Sequence, residues 1–324
     1  MTSADIDRAR ALLATHLQPT RLVPAASLGR LRGAPVWLKL ESDLPTGSFK
    51  PRGALYALSR AVERGPVREV VAASTGNHGA AVAYAARLMG LAATVVLPVR
   101  PNPVKRARIL DLGARAVETG AADLTDAIAY ATAYAQAEEG RFFLNDASDP
   151  DLPAGPATIA YEALDQAPDA ATIVVPMGDT ALIRGVAFAA KQWCLQKGRP
   201  AIRVVGVQAA NAPAYARSWA AKTPIDTETC ETMADGLATR TTVPANVQAI
   251  VDLVDDVRLV SEDEMLGAIR HLLFHEQIVA EPSGAASTAA FLQDPAAFAP
   301  PVVLVMSGAN VTPDILRRAV LSGD

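Results

Sequence analysis

Seven short runs of nearly unbroken apolar residues constrain this chain more than any other feature: 35–40, 67–74, 92–99, 114–119, 171–177, 202–208 and 301–307. A strand with one wet face alternates apolar and polar residues, whereas these runs do not. They therefore read as strands of parallel sheets covered on both faces. Between them lie alanine-rich stretches such as "GAAVAYAARLMG" (79–90) and "ALIRGVAFAAKQWCLQKG" (181–198), helical in composition and closed by glycine. Strand–helix alternation of this kind predicts an α/β fold with twisted, mainly parallel sheets and functional groups at the C-terminal ends of strands.

The bulk chemistry narrows the function classes. A chain of 324 residues is long enough for one large or two interleaved domains. Its net charge of −4 and pI near 5.7 offer no basic face, so neither a nucleic-acid nor an anionic-membrane partner is expected. The longest apolar runs are strand-sized, and the polar N-terminus "MTSADIDRAR" has no signal-peptide core. Cys194 and Cys230 are the only cysteines and lack CxxC spacing, which fits a reduced, cytoplasmic setting.

Three strand ends carry the chemistry. "VVPMGDTALIRG" (174–185) leaves a buried-type strand at a glycine and enters a helix, a geometry that suits a phosphate. "AASTGNHGAA" (72–81) sets a small-residue turn before a helix, where backbone N–H groups suit a carboxylate. "VMSGAN" (305–310) ends a third strand in Ser307, Gly308 and Asn310. In "HLLFHE", His271 and His275 have the spacing of two zinc ligands, but no third ligand is placed and an amphipathic helix is expected. The run "SEDE" (261–264) predicts a helix N-terminus.

The segment "KLESDLPTGSFKPRGALYAL" (39–58) resembles the lysine motif of fold-type-II pyridoxal-phosphate enzymes, in the serine/threonine dehydratase and serine racemase branch. "ASTGNHGAA", "VVPMGDTALIRG", "ETMADGLA" (231–238), "VAEPSGAAS" (279–287) and "VMSGANV" (305–311) follow in family order. The resemblance implies a two-lobed α/β enzyme: a large cofactor-binding domain of residues 1–52 and 150–324, with a small domain of 53–149 inserted in it. It implies pyridoxal 5'-phosphate as cofactor, a small amino-acid substrate and a homodimer. Because the chain ends soon after "SGAN", no regulatory C-terminal domain is expected.

Roles follow residue by residue from the same resemblance. Lys50, after Phe49, would bind the cofactor aldehyde and then take the substrate α-proton, which requires a neutral amine. Asn77 would meet the cofactor's phenolic oxygen. Ser74, Thr75, Gly76, His78 and Gly79 would line the substrate carboxylate site, with Ser74 and Thr75 also counted as catalytic. Gly178, Asp179, Thr180, Ala181 and Leu182 would hold the phosphate, and Gly236 and Glu281 would lie near the ring. Ser307 would face the pyridine nitrogen, where a hydroxyl makes the ring a weaker electron sink and favours β-elimination. The implied reaction turns a β-hydroxy amino acid into a 2-oxo acid and ammonia. Racemisation, threonine-synthase-like replacement and a non-catalytic binding protein are the alternatives.

The chain departs from the family pattern in four places. The phosphate loop, commonly four glycines, reads Gly178-Asp179-Thr180-Ala181; Asp179 would need to turn away as a helix cap, and Arg184 is expected to face solvent. The two carboxylates that hold a divalent cation in some members correspond to Gln208 and Ala214, with Ala212 between, so no metal site is expected. The "HPF/Y" segment corresponds to Asn145, Asp146 and Ala147; loss of the ring at Ala147 predicts room for a bulkier substrate such as phenylserine. Finally, Thr75 stands where racemases have serine.

Overall fold

The computed structural model describes residues 1–74, 76–97, 103–120 and 124–321. In chain order the elements begin with α1 (Ser3–Leu13), β1 (Leu22–Pro24), α2 (Ala26–Arg32), β2 (Val36–Leu40), α3 (Lys50–Arg64), β3 (Glu69–Ala73), α4 (Asn77–Met89) and β4 (Ala92–Leu97). Then come α5 (Pro103–Asp111), β5 (Arg115–Glu118), α6 (Leu124–Gln136), β6 (Arg141–Phe143), α7 (Ala154–Gln166), β7 (Thr172–Pro176) and α8 (Ala181–Lys197). The last are β8 (Arg203–Ala209), α9 (Ala214–Ala221), α10 (Pro244–Leu253), β9 (Asp256–Val260), α11 (Glu262–His275), α12 (Pro282–Gln293), β10 (Val302–Met306) and α13 (Pro313–Leu321). Contacts divide the chain into two units, residues 1–17 with 48–155 and residues 18–47 with 156–324. The inserted span 53–149 anticipated from the sequence falls inside the first unit, which also takes in α1 and the start of α3.

The first unit holds a four-stranded parallel sheet in the order β5-β4-β3-β6. Helix α6 places Ala127, Ala131 and Ala135, four residues apart, against Val71, Ala73 and Val96 of the sheet. Alanine is the side chain that lets a helix backbone approach a sheet closely while keeping helix propensity high. Helix α1 joins this unit by packing Ala9 and Leu12 with Tyr56 of α3 and Ala154 of α7. The N-terminus of α3 is held from below by backbone contact: a Cβ on Gly155 would lie 2.2 Å from the Arg52 carbonyl oxygen, so only glycine fits.

The second unit holds a six-stranded sheet in the order β1-β2-β10-β7-β8-β9, parallel throughout except for the antiparallel edge strand β1. Its β7 and β10 are buried at every position. Helix α12, "PSGAASTAAFLQ", buries ten consecutive residues from Pro282 to Phe291. Such a helix carries no wet face, and its Ala285, Ala286, Ala289 and Ala290 belong to one core with Val174, Leu304 and Val302.

Three strands escaped the sequence reading, each for a physical reason. β1 and β6 are three residues long. β9 is an edge strand of charged and apolar residues with only Val260 fully buried, so no continuous apolar run marks it. The acidic run at 261–264 is the N-terminus of α11, where Ser261 and Glu264 form a reciprocal capping box. No helix among the described residues is long and apolar enough to cross a membrane.

A buried charge cluster lies inside the second unit. Lys39 of β2 has no solvent exposure, and its Nζ donates to the Thr20 carbonyl oxygen at 2.7 Å and to Glu162 Oε2 at 2.7 Å. Glu41, also buried, lies 4.0 Å away and accepts from Thr20 Oγ1 at 2.6 Å. Removing the ammonium leaves two carboxylates sharing a low-dielectric site. Lys39→Ala is therefore expected to lower stability by about 3–5 kcal/mol, read from urea unfolding at neutral pH.

Candidate functional site

The predicted residues fall into two sets, one in each unit. In the first unit, Lys50 opens α3 immediately after the buried Phe49, and its side chain is 11% exposed. The ammonium lies 5.2 Å from the Phe49 ring centroid and 3.1 Å from Asp146 Oδ2. The turn from β3 into α4 supplies the neighbouring residues. Ser74 is buried, its Oγ accepts from the Gly76 N–H at 3.0 Å, and Asn77 is the first residue of α4. Glycine is required twice here. A Cβ on Gly76 would lie 2.2 Å from the Lys105 side chain, and one on Gly79 would lie 2.8 Å from Val95. Thr75 lies outside the described residues.

His78, 3% exposed, places Nε2 at 2.9 Å from the Leu144 carbonyl oxygen. A carbonyl only accepts, so Nε2 carries the proton and Nδ1 presents a lone pair. That Nδ1 is buried with no hydrogen-bond partner among the described residues, 4.0 Å from Asp146 Oδ2. The segment after β6 turns on Asn145, whose Oδ1 accepts from the Ala147 N–H at 3.0 Å. Asp149 follows, capping the chain by accepting from the Asp151 and Leu152 N–H groups. Burial pushes its carboxyl above the usual range, against the Leu152 N–H and the charge of Arg64.

In the second unit, backbone meets backbone. A Cβ on Gly178 would lie 2.0 Å from the Gly236 carbonyl oxygen, and one on Gly236 would lie 2.9 Å from Ser283 Oγ. Ser307 ends β10 and donates to the Ser283 carbonyl oxygen at 3.4 Å, a weak bond. Glu281 is the N-cap residue of α12 and donates its N–H to the Gly308 carbonyl oxygen at 3.1 Å. Gly178, Gly236, Glu281 and Ser307 are thus assembled around the start of α12, with buried Ala181 and Leu182 opening α8.

The glycine-poor loop has its own solution. Asp179 turns its Oδ1 onto the Ala181 N–H at 2.9 Å, closing a turn just ahead of α8, whose N-cap residue is Thr180. Thr180 adopts a left-handed backbone, φ +74, a conformation costly for a β-branched residue. Its Oγ1 is buried with no hydrogen-bond partner among the described residues. Arg184 corrects the expectation of a solvent-facing side chain. It is half-buried, and its Nε and Nη2 are buried without partners among the described residues. Burial lowers its pKa, opposed by the Asp179 charge and by Tyr215. The cover comes from distant chain: Asn246 of α10 donates to the Asp179 carbonyl oxygen and to the Tyr215 hydroxyl, both at 3.4 Å. Local pattern carries no trace of that packing.

Other candidates resolve simply. Gln208 spends its Oε1 on the Ala216 N–H at 2.8 Å, while Ala212 and Ala214 are fully buried. The described residues contain no group of three His, Cys, Asp or Glu side chains placed to hold a metal. His271 Nε2 lies 2.7 Å from Ser27 Oγ and its ring is 4.7 Å from that of His275. Burial lowers its pKa, with His275 acting in the same sense and Glu276 against. Asp146 was not singled out for any role from the sequence; its only signal there was a carboxylate standing where the family segment has proline.

An orphaned hydroxyl, orphaned guanidinium nitrogens, a helix N-terminus and a backbone cradle that any Cβ would fill suit an anionic cofactor group, and Lys50 suits an aldehyde. The strain at Thr180 is checkable by itself. Thr180→Gly removes the Cβ clash of the left-handed backbone and is expected to raise stability by about 1 kcal/mol in urea, whereas Thr180→Ala keeps the Cβ and does not.

The family model described as "Pyridoxal-phosphate dependent enzyme" matches residues 13–308. An L-threonine ammonia-lyase of Thermotoga maritima is 33% identical over 323 residues, covering 100% of this chain and 79% of that protein. Among solved structures, a threonine deaminase from T.th. superimposes with a TM-score of 0.88 at 32% identity, over 96% of this chain and 99% of the other. A maize serine racemase gives a TM-score of 0.89 at 28% identity, over 98% and 96%.

Proposed function

The chain belongs to the pyridoxal-phosphate-dependent enzymes, and on that footing we propose that it is an ammonia-lyase that dehydrates and deaminates a β-hydroxy amino acid. The observation that carries this reading is Lys50, an amine at the first residue of α3 that shares the neighbour Asp146 with His78 at the start of α4. Bound pyridoxal phosphate supplies the electron sink that lets an amino acid lose its α-proton and then its β-hydroxyl.

The chain's own residues supply placement and proton transfer. Lys50 Nζ holds the cofactor and, when released, accepts the α-proton at that nitrogen. The Asn77 amide is the donor for the cofactor's phenolic oxygen, and the Ser307 hydroxyl is the group for the ring nitrogen. Gly178 to Leu182 would receive the phosphate, with the Thr180 hydroxyl and the Arg184 guanidinium standing in for the Ala181 N–H that Asp179 occupies. Ser74, Thr75, Gly76, His78 and Gly79 orient the substrate carboxylate, and Gly236 and Glu281 border the ring. The large lobe of 1–52 and 150–324, the inserted lobe of 53–149, a homodimer and a cytoplasmic location complete the proposal. The similarity to a maize serine racemase favours racemisation as the second reading, and chiral analysis of recovered amino acid separates the two.

The test is release of ammonia and 2-oxo acid across serine, threonine and phenylserine. Phenylserine is expected to be turned over at least as well as threonine, because Ala147 leaves room where the family has a ring. A strong threonine preference would discard that substrate class. Lys50→Ala is expected to abolish turnover and covalent cofactor retention; undiminished turnover overturns the mechanism. Arg184→Gln is expected to weaken pyridoxal phosphate about tenfold or more while leaving pyridoxal unchanged, read by absorbance titration of cofactor-free protein.

A further inference from the structure

We infer that Asp146 is the counter-ion of Lys50, a positioning residue that stabilises the lysine whenever it carries a proton; the catalytic consequence rests on the ammonia-lyase reading above. Its Oδ2 lies 3.1 Å from Lys50 Nζ, a charge-assisted contact. In the family pattern this position is the proline of "HPF/Y", which has neither charge nor side-chain hydrogen bond, so the carboxylate is a property of this chain.

The neighbourhood explains why a counter-ion matters. Lys50 opens α3, where the helix dipole is positive and disfavours an ammonium. A carboxylate at contact distance reverses that preference. The second neighbour, His78, cannot compete while neutral. Its one N–H is directed to the Leu144 carbonyl oxygen, and only a lone pair faces Asp146. Three further charged groups stand nearby: Asp149, Arg64 close to it, and Lys105 packed over Gly76. None of these is placed between Lys50 and Asp146, which are in direct contact.

The consequence has a sign. Lys50 must be neutral to accept the α-proton and is cationic afterwards. Asp146 stabilises the cationic state, so it favours completion of the proton transfer and moves the amine's working range to higher pH. Removing the charge leaves the amine neutral at lower pH and leaves the transferred proton less well held.

The experiment uses the full chain in cofactor-free form. Trace acylation with acetic anhydride is followed at Lys50 by peptide mass spectrometry from acid to alkaline pH, with the exposed Lys197 as internal standard. In Asp146→Asn, Lys50 is expected to label about tenfold faster at neutral pH, its profile displaced to lower pH by about one unit. Asp146→Glu should restore the parent profile, and Lys197 should not change. Asp146→Ser serves as a second uncharged variant if the amide alters folding. An unchanged Lys50 profile in both uncharged variants overturns the inference.

A second reading comes from the loaded enzyme. The acid limb of kcat/KM for the uncharged variants should move in the same direction, with kcat falling more than KM changes. Failure of the parent protein to release ammonia from any β-hydroxy amino acid, with the labelling shift present, removes the proposed activity and leaves the Lys50–Asp146 assignment standing. Robust activity with no labelling shift does the reverse.

Discussion

Strands β3, β4, β7, β8 and β10 are buried along nearly their whole length, because helices cover both faces of each parallel sheet. That burial decides where polar chemistry can stand. A polar group in a strand interior needs a partner there, and Lys39 is held by a carbonyl and by carboxylates. Strand ends are where the chain leaves the ladder and can turn a polar group out of it. Ser74 follows β3, Gly178 follows β7 and Ser307 follows β10, so the two sheets place their candidate residues by the same rule.

Close backbone approach then fixes how those ends are arranged. Gly178 touches the Gly236 carbonyl and Gly284 touches the Gly308 carbonyl, each at a distance that no Cβ could share. These contacts tie the start of α12 to the ends of β7 and β10 without using a side chain. Among the described residues the Thr180 hydroxyl has no hydrogen-bond partner, and the Ser307 hydroxyl has one long hydrogen bond. A site built this way tolerates replacement of its polar residues more readily than replacement of its glycines.

Much of the fold was legible because burial leaves continuous apolar runs. The seven runs correspond to β2, β3, β4, β5, β7, β8 and β10, each within two residues at either end. β9 was illegible for the complementary reason: an edge strand need not be apolar, and Asp256, Arg258 and Leu259 give it no pattern. Within the candidate site, contiguous motifs were readable and pairings across the chain were not. The turn of Asp179 onto the Ala181 N–H is a local event, although the N-cap residue of α8 is Thr180. The burial of Arg184 depends on α10 and Tyr215, and the pairing of Lys50 with Asp146 spans 96 residues, so neither leaves a local mark.

These two charge placements answer opposite electrostatic problems. At the α8 N-terminus, Asp179 brings negative charge to a place that would receive a phosphate, and its carboxylate consumes one helix donor. The half-buried Arg184 and the Thr180 hydroxyl return positive potential and a donor to the same turn. At the α3 N-terminus the dipole already repels a lysine cation, and Asp146 supplies the compensating negative charge. A helix N-terminus favours an anion and disfavours a cation by the same physics. A chain that puts an acid at one such end and a lysine at another must therefore add a counter-charge at each, and here both additions are side chains that the surrounding family pattern does not specify.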